Sequence, residues 1–236
     1  MSGIFIAKGM KLIIPAGGLV IGLGDDRTPT ASCALHVHFD VCPTWLDLAF
    51  THLRTAHDCK QARVAAWSAT DENAKASSLE REFESSMQAI MSAAIAVDAF
   101  YASVQDKIVL PPRLLECWRK RRTPRFAQIA EVLRLAFTLK PTGTKILRQQ
   151  PKEIMRYRDL AVHPSAKFGA ALLHPDLNVG VEWRFVYFRF DNANAIVKET
   201  ARVIHELINK GKPMTSEVQR YCEDLCPRIQ AFSETL

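Results

Sequence analysis

Two-thirds of the way along the chain, three residues carry the types and spacing best suited to chemistry. In Met155-Arg156-Tyr157-Arg158-Asp159-Leu160-Ala161-Val162-His163-Pro164, Arg158 and His163 stand five positions apart, and Asp159 directly follows the arginine. Histidine, with an ordinary pKa of roughly 6.5, takes or gives a proton near neutrality. Arginine offers a permanently charged planar fork that matches a phosphate. These are the groups that cleavage of RNA by its own 2′-hydroxyl requires: a base for the hydroxyl proton, an acid for the departing 5′-oxygen, and a cation for the charge that grows on the phosphate. The same residues also suit an ordinary helix end, with Arg158 in a surface ion pair and His163 near the last carbonyls, where the helix dipole favours it.

The two readings turn on the elements that position these side chains. On a regular helix, five residues correspond to roughly 500°, so Arg158 and His163 would point about 140° apart. They converge if the helix stops before His163, and Pro164 disfavours helical backbone at the residue preceding it. A helix is predicted from about Thr144 to Val162, with Pro151 suited to a first helical turn. Before it lie three more helical patterns. One runs from Pro43-Thr44-Trp45 to about Ala69. The second covers Leu79 to about Val109, with Phe83, Met87, Ile90, Met91, Ala94, Val97, Phe100 and Tyr101 at three-and-four spacing. The third covers Leu114 to Leu139, interrupted at Pro124. The polar run Thr70 to Ser78 reads as a connection, with Ser77 or Ser78 as helix cap. Lys140-Pro141-Thr142-Gly143 reads as a turn. After the motif, Val181 to Phe190 is rich in aromatic and β-branched residues and reads as a strand. Asp191 or Asn192 caps a helix to about Lys210, closed by Gly211, and Met214 onward is a final helical stretch.

Residues 1–42 read as strand and turn. Leu12 to Ile14 and Leu19 to Leu23 are short apolar runs, expected to form a pair of buried strands around Pro15 and Gly17-Gly18. Leu35, Val37, Phe39 and Val41 alternate with His36, His38 and Asp40. The expected architecture is therefore mainly α. A helical bundle is built from residues 79–109, 114–139, 144–163 and 192–210, with a small flanking β-sheet from the N-terminal region and residues 181–190. The expected division is an N-terminal β/α extension (1–75), the bundle (76–210) and a C-terminal helical tail (211–236).

A bundle whose motif helix ends in Arg158-Asp159-x-x-x-His163, after an Ala-rich helix ending in Asp98-Ala99-Phe100-Tyr101, resembles the HEPN superfamily over roughly residues 79 to 210. That resemblance implies metal-independent endoribonuclease activity, with no cofactor. Two protomers would pair so that both Arg-His motifs line one cleft. It implies Arg158 and His163 as catalytic residues, with Asp159 orienting Arg158 or shaping the cleft. The implied partners are RNA, a second copy of the chain, and an antitoxin or regulatory protein if the chain is a toxin or defence effector. The resemblance is equally open to a non-catalytic dimerisation, interaction or nucleotide-binding module, since many members of the superfamily are inactive scaffolds.

Charge adds to the RNA reading. The chain carries a net +6, a mild preference for polyanions. From Arg113 to Arg158 there are thirteen Lys and Arg against three Glu, so the rest of the chain is net acidic. The dense run Arg119-Lys120-Arg121-Arg122, with Arg125 and Arg156, is expected to meet phosphates, and Trp118 or Tyr157 to stack on a base. A solvated helix face would show the same pattern. Asp98, inside an apolar helix, reads either as a buried, paired carboxylate, with a basic residue of the motif helix as a candidate partner, or as one facing water at the bundle edge.

Other constellations are weaker. Six scattered cysteines without a C-x-x-C pair read as reduced, mostly buried thiols in a reducing compartment. His36-x-His38-x-Asp40 puts three potential metal ligands on one strand face, though an exposed polar face explains them as well. His57-Asp58-Cys59 are neighbours on a helix and do not face one another. Gly22-x-Gly24 lacks the rest of a phosphate loop and is followed by two aspartates. The apolar run 12–24 is broken by Pro15 and glycines and is too short to span a bilayer, so a cytoplasmic protein without a membrane partner is expected.

Overall fold

In the computed structural model, which describes residues 5–7, 9–23, 27–140, 144–163 and 169–233, the chain divides into two units, Met1–Val41 and Cys42–Leu236. Among the described residues, the regular elements of the first unit are all strands. Strand β1 (Met10–Ile13) pairs antiparallel with β4 (His36–Phe39), and β2 (Leu19–Leu23) pairs antiparallel with β3 (Pro29–Cys33). The Ala34 amide donates to the Gly18 carbonyl at 2.6 Å beside the second pair. Gly17 takes φ +76°, a left-handed turn conformation that glycine adopts without a Cβ clash. The apolar runs do form strands, but not buried ones: every residue of β2, β3 and β4 is exposed. A two-stranded ribbon has no third layer to cover its apolar face.

The second unit is helical. Helices α1 (Cys42–Trp67) and α2 (Glu72–Gln105), joined by four residues, pack along each other. Helices α3 (Pro112–Arg121), α4 (Arg125–Ala136) and α5 (Thr144–Val162) follow. Then come the two-residue strands β5 (Leu172–Leu173) and β6 (Gly180–Val181), and helices α6 (Trp183–Tyr187), α7 (Phe190–Lys210) and α8 (Ser216–Ser233). The small side chains Ala89, Ala93, Ala94 and Ala96 of α2 are fully buried and allow close helix approach. Around them pack Ile90, Val97, Phe100, Ile129, Phe137, Ile154, Val197 and Ile204. Among the described residues, α2 is also the one helix long and apolar enough to cross a membrane.

The structure departs from the sequence expectations at several points. The stretch 181–190 is not a strand. Only Gly180–Val181 pairs, with β5, and the chain then turns into α6 and α7, while the His36 strand pairs with β1. The aromatics responsible are helix-spaced and inward-facing. Trp183 meets Tyr187 edge-on at 5.7 Å, Phe185 and Phe188 both meet Phe83, and Phe188 is fully buried. Glu182 caps α6 by accepting from the Arg184 amide at 2.7 Å. Helix α2 begins at Glu72 rather than Leu79. Asp71, not Ser77 or Ser78, is its cap, accepting from the Asn73 and Ala74 amides at 2.9 and 3.2 Å.

Helices α1 and α8 belong to the core through Leu46, Phe50 and Leu53 and through Val218, Tyr221 and Leu225. The compact units thus meet at Val41–Cys42, not at 75–76, and residues 211–233 are no separate tail. Helix α7 begins at Phe190 with Arg189 at its N-cap, ahead of the expected Asp191 or Asn192. Gly211 closes it for lack of space: a Cβ there would lie 2.3 Å from the Leu207 carbonyl oxygen and 2.5 Å from Phe137 Cδ1. The features expected at Gly24–Asp26, Pro141–Gly143 and Pro164 lie outside the described residues.

Candidate functional site

The motif residues sit on the last two turns of α5. This helix is pinned by Leu147, Pro151, Ile154, Met155 and Tyr157, all buried, so its opposite face is left to carry charge. Regular helix ends at Val162, and the His163 amide donates to the Asp159 carbonyl at 2.9 Å. His163 is therefore anchored by its backbone to the last turn while its side chain is exposed.

Arg158 is held by two carboxylates. Its Nη2 and Nε donate to Asp159 Oδ1 at 2.7 and 3.1 Å, and Nη1 lies 3.6 Å from Asp98 Oδ2. Asp98 in turn accepts from Arg125 Nε at 2.8 Å. The Arg125 guanidinium lies 4.0 Å from the centroid of the Tyr101 ring, the favourable cation–π arrangement. Burial pushes the Tyr101 hydroxyl pKa up; the Arg125 charge opposes this and Asp98 adds to it. Asp98 thus links α2, α4 and α5: it is paired, with Arg125 and with Arg158 of the motif helix, but at 28% exposed it is not the buried carboxylate expected. The cluster is partly solvated, with Arg158 30% and Asp98 28% exposed, so each ion pair alone contributes only about 0–1 kcal/mol. Its consequence is geometric. Two carboxylates, Asp98 of α2 and Asp159 of α5, hold the Arg158 guanidinium in place while leaving it accessible, and Arg125 of α4 steadies Asp98. Beside it, Phe126, Met155, Leu160, Lys152, Arg156 and Asp159 line a hollow of about 390 Å³.

The remaining residues expected to bind RNA are dispersed by the fold. Arg119, Lys120 and Arg121 form the exposed last turn of α3, and Arg122 leaves it in a left-handed conformation (φ 47°, ψ 48°). Lys120 pairs with Glu116 at 2.7 Å. Trp118 is half-buried against the core. Arg125 is committed to Asp98 and Tyr101, as above. Arg156 is exposed, bonded to Glu153 at 3.0 Å and 5.5 Å from the Tyr187 ring. Tyr157 does not offer a stacking face. It is 7% exposed and packs edge-on to Phe188 at 5.8 Å, and burial pushes its hydroxyl pKa up. A tyrosine one position before the motif arginine falls on the inner face of α5, where the apolar spacing of Ile154 and Tyr157 already pointed.

A second charged cluster went unrecognised in the sequence. Arg63 of α1 is fully buried and forms a close ion pair with Glu82 of α2, itself 2% exposed. Arg63 Nη2 donates to Asp176 Oδ2 at 2.8 Å, and Glu82 Oε1 accepts the Phe190 amide at 3.0 Å. His174, fully buried, accepts the Asp176 amide on Nδ1 at 3.2 Å. Burial, then the nearby Arg63 charge, lowers its pKa. Lys60, Arg189 and Asp191 extend the network outward. No motif announces it, because its members are spread from residue 60 to residue 191.

The other constellations stay apart. His36 and His38 sit opposite Ile13 and Lys11 in the ribbon, and no group of three His, Cys, Asp or Glu stands ready for a metal ion among the described residues. His57 Nδ1 lies 3.6 Å from Asp58, while Cys59 instead meets Ser85. No two cysteines are joined in a disulfide among the described residues; only Cys42 and Cys222 are buried, against the expectation of mostly buried thiols, and burial pushes the Cys222 thiol up to about 11. No protein-family model, no curated protein and no solved structure matches this chain.

Proposed function

We propose that the chain is a HEPN-like, metal-independent endoribonuclease acting as a homodimer in the cytoplasm, as a toxin or defence effector. The observation that carries this reading is Arg158, clamped by Asp98 and Asp159 yet accessible, one turn before an exposed His163 at the end of α5. In this mechanism the imidazole of one protomer accepts the proton of the RNA 2′-hydroxyl as that oxygen attacks the adjacent phosphorus. The P–O5′ bond breaks, and the second protomer's imidazolium protonates the departing 5′-oxygen. The products are a 2′,3′-cyclic phosphate and a free 5′-hydroxyl. Arg158 stabilises the extra negative charge on the phosphoryl oxygens, and Asp159 keeps the guanidinium in one plane. Arg119, Lys120, Arg121 and Arg122 hold the flanking backbone.

The second reading is a non-catalytic interaction or nucleotide-binding module. It draws on the fact that both carboxylates already neutralise Arg158, as they would in a purely structural clamp. An RNA cleavage assay in EDTA separates the two. Wild-type protein is expected to yield cyclic phosphate ends. His163→Ala and Arg158→Ala are expected to lose about 100-fold or more of that rate, the range for a general acid–base group, with their helical circular dichroism intact. Cleavage at the full rate by His163→Ala, or none by well-folded wild type, rejects the enzymatic reading.

A further inference from the structure

The hollow of about 390 Å³ beside the clamped arginine falls within the roughly 300–1,000 Å³ range of small-ligand sites. Its lining follows from helix spacing. Lys152, Met155, Arg156, Asp159 and Leu160 recur along one face of α5, and Phe126 stands on the first turn of α4. Met155 is buried, and Phe126 and Leu160 pack partly buried against the core. These three make an apolar floor that includes one aromatic ring. The charged members are exposed at the rim. Lys152 and Arg156 are cations, and the Arg148 guanidinium adds a third, 5.9 Å from the centroid of the Phe126 ring. Among the described residues, Asp159 is the one acid in the lining. Both hydrogen bonds from Arg158 go to its Oδ1, at 2.7 and 3.1 Å, and its Oδ2 has no hydrogen-bond partner among the described residues.

We infer that this hollow is a base-binding subsite, and that it takes a guanine of single-stranded RNA whose adjacent phosphate lies at Arg158. The inference rests on the RNA reading of the motif for its substrate; the choice of base comes from the hollow. Three features select this occupant. An aromatic ring on an apolar floor stacks a flat base of any identity, provided the base is unpaired and free to leave its strand. The rim cations suit the phosphates on either side of that base. Asp159 Oδ2, an acceptor without a donor, then discriminates. Guanine presents two adjacent donors on its Watson–Crick edge, the ring N–H and the exocyclic amine, and a carboxylate oxygen has lone pairs for both. Uracil presents one ring N–H between two carbonyl oxygens that a carboxylate repels. Adenine and cytosine present one amine beside a ring-nitrogen acceptor.

The test measures binding and cleavage on the same full-length protein. The 5′-monophosphates of guanosine, adenosine, cytidine and uridine are titrated in EDTA by calorimetry. The guanosine nucleotide is expected to bind about 10-fold or more tighter than the uridine one. Asp159→Asn should abolish that preference. Phe126→Ala should weaken all four nucleotides by about 10-fold, and Phe126→Tyr should restore them. Lys152→Ala should weaken all four alike. Asp159 and Lys152 are exposed, so their variants decide the matter if Phe126→Ala loses its helical circular dichroism. In the cleavage assay, single-stranded RNAs that differ at one base should be cut fastest beside guanosine, with the ratio lost in Asp159→Asn. Equal affinity for the four nucleotides, a guanosine preference that survives Asp159→Asn, or affinity unmoved in a folded Phe126→Ala would overturn the subsite, whether or not RNA is cut. Selective guanosine binding by a protein that cuts no RNA would reject the enzymatic reading and leave the subsite standing.

Discussion

Replacing Glu82 with alanine tests whether the buried network locks the segment after the motif onto the helical unit. Glu82 is 2% exposed and accepts two hydrogen bonds, from Arg63 Nε and from the Phe190 amide. Its removal leaves the Arg63 guanidinium, fully buried, with Asp176 as its remaining carboxylate; Nη1 of Arg63 already has no hydrogen-bond partner among the described residues. It also strips the acceptor from an amide at the start of α7. Losing one partner of a buried pair costs about 3–5 kcal/mol. The orphaned amide alone would account for about 1–3 kcal/mol, in part already within that figure. Against a total stability of about 5–15 kcal/mol, the variant should be among the most damaging in the molecule. With a urea slope of about 2 kcal/mol/M, the midpoint should fall by roughly 1.5–2.5 M when unfolding is followed by helical circular dichroism. Arg63→Met combined with Glu82→Leu removes both charges and should recover most of the loss, because no uncompensated ion is left behind. A Glu82→Ala cost below about 1 kcal/mol, or a double variant no better than the single, would refute the reasoning.

Two further outcomes follow from the charged clusters. His174 is kept neutral by burial, so its pKa in the folded chain lies below its unfolded value. The unfolded chain then binds the extra proton: the stability it contributes is complete above about pH 6.5 and declines as pH falls below it, at up to about 1.4 kcal/mol per pH unit. Denaturant midpoints between neutral pH and pH 5 should show this slope, and His174→Gln should flatten it; an unchanged slope would remove His174 as its source. At the motif, Asp98→Asn frees one side of Arg158 and one anchor of Arg125. It should lower kcat for RNA cleavage about ten- to hundredfold with KM nearly constant, the signature of a displaced catalytic group rather than lost binding. Asp98→Glu should recover part of the rate, and equal changes in kcat and KM would assign Asp98 a merely structural role.

The contrast between the two clusters explains what could be read from the residues alone. Helix positions followed from periodicity because burial acts locally: Ile129, Val132, Leu133 and Ala136 recur on one face of α4, and all four are buried there. Asp98 is conspicuous for the same reason, a charge inside an apolar helix, but the choice between pairing and facing water depends on where Arg125 of α4 and Arg158 of α5 come to lie in the fold. The stretch 181–190 misled because aromatic richness signals burial before it signals backbone geometry. Phe185 and Phe188, three apart, reach Phe83 from one side of a short helix, a spacing that alternation cannot supply. The ribbon misled in the opposite sense: alternation placed its strands, but burial requires a second layer that a two-stranded ribbon lacks. Arg63 could not be singled out at all, because an arginine becomes a core residue only when Glu82 and Asp176, 19 and 113 positions away, close on it. Before those contacts form it is an ordinary cation on a helix surface, and only the assembled fold turns it into a buried ion whose partners cannot be removed singly.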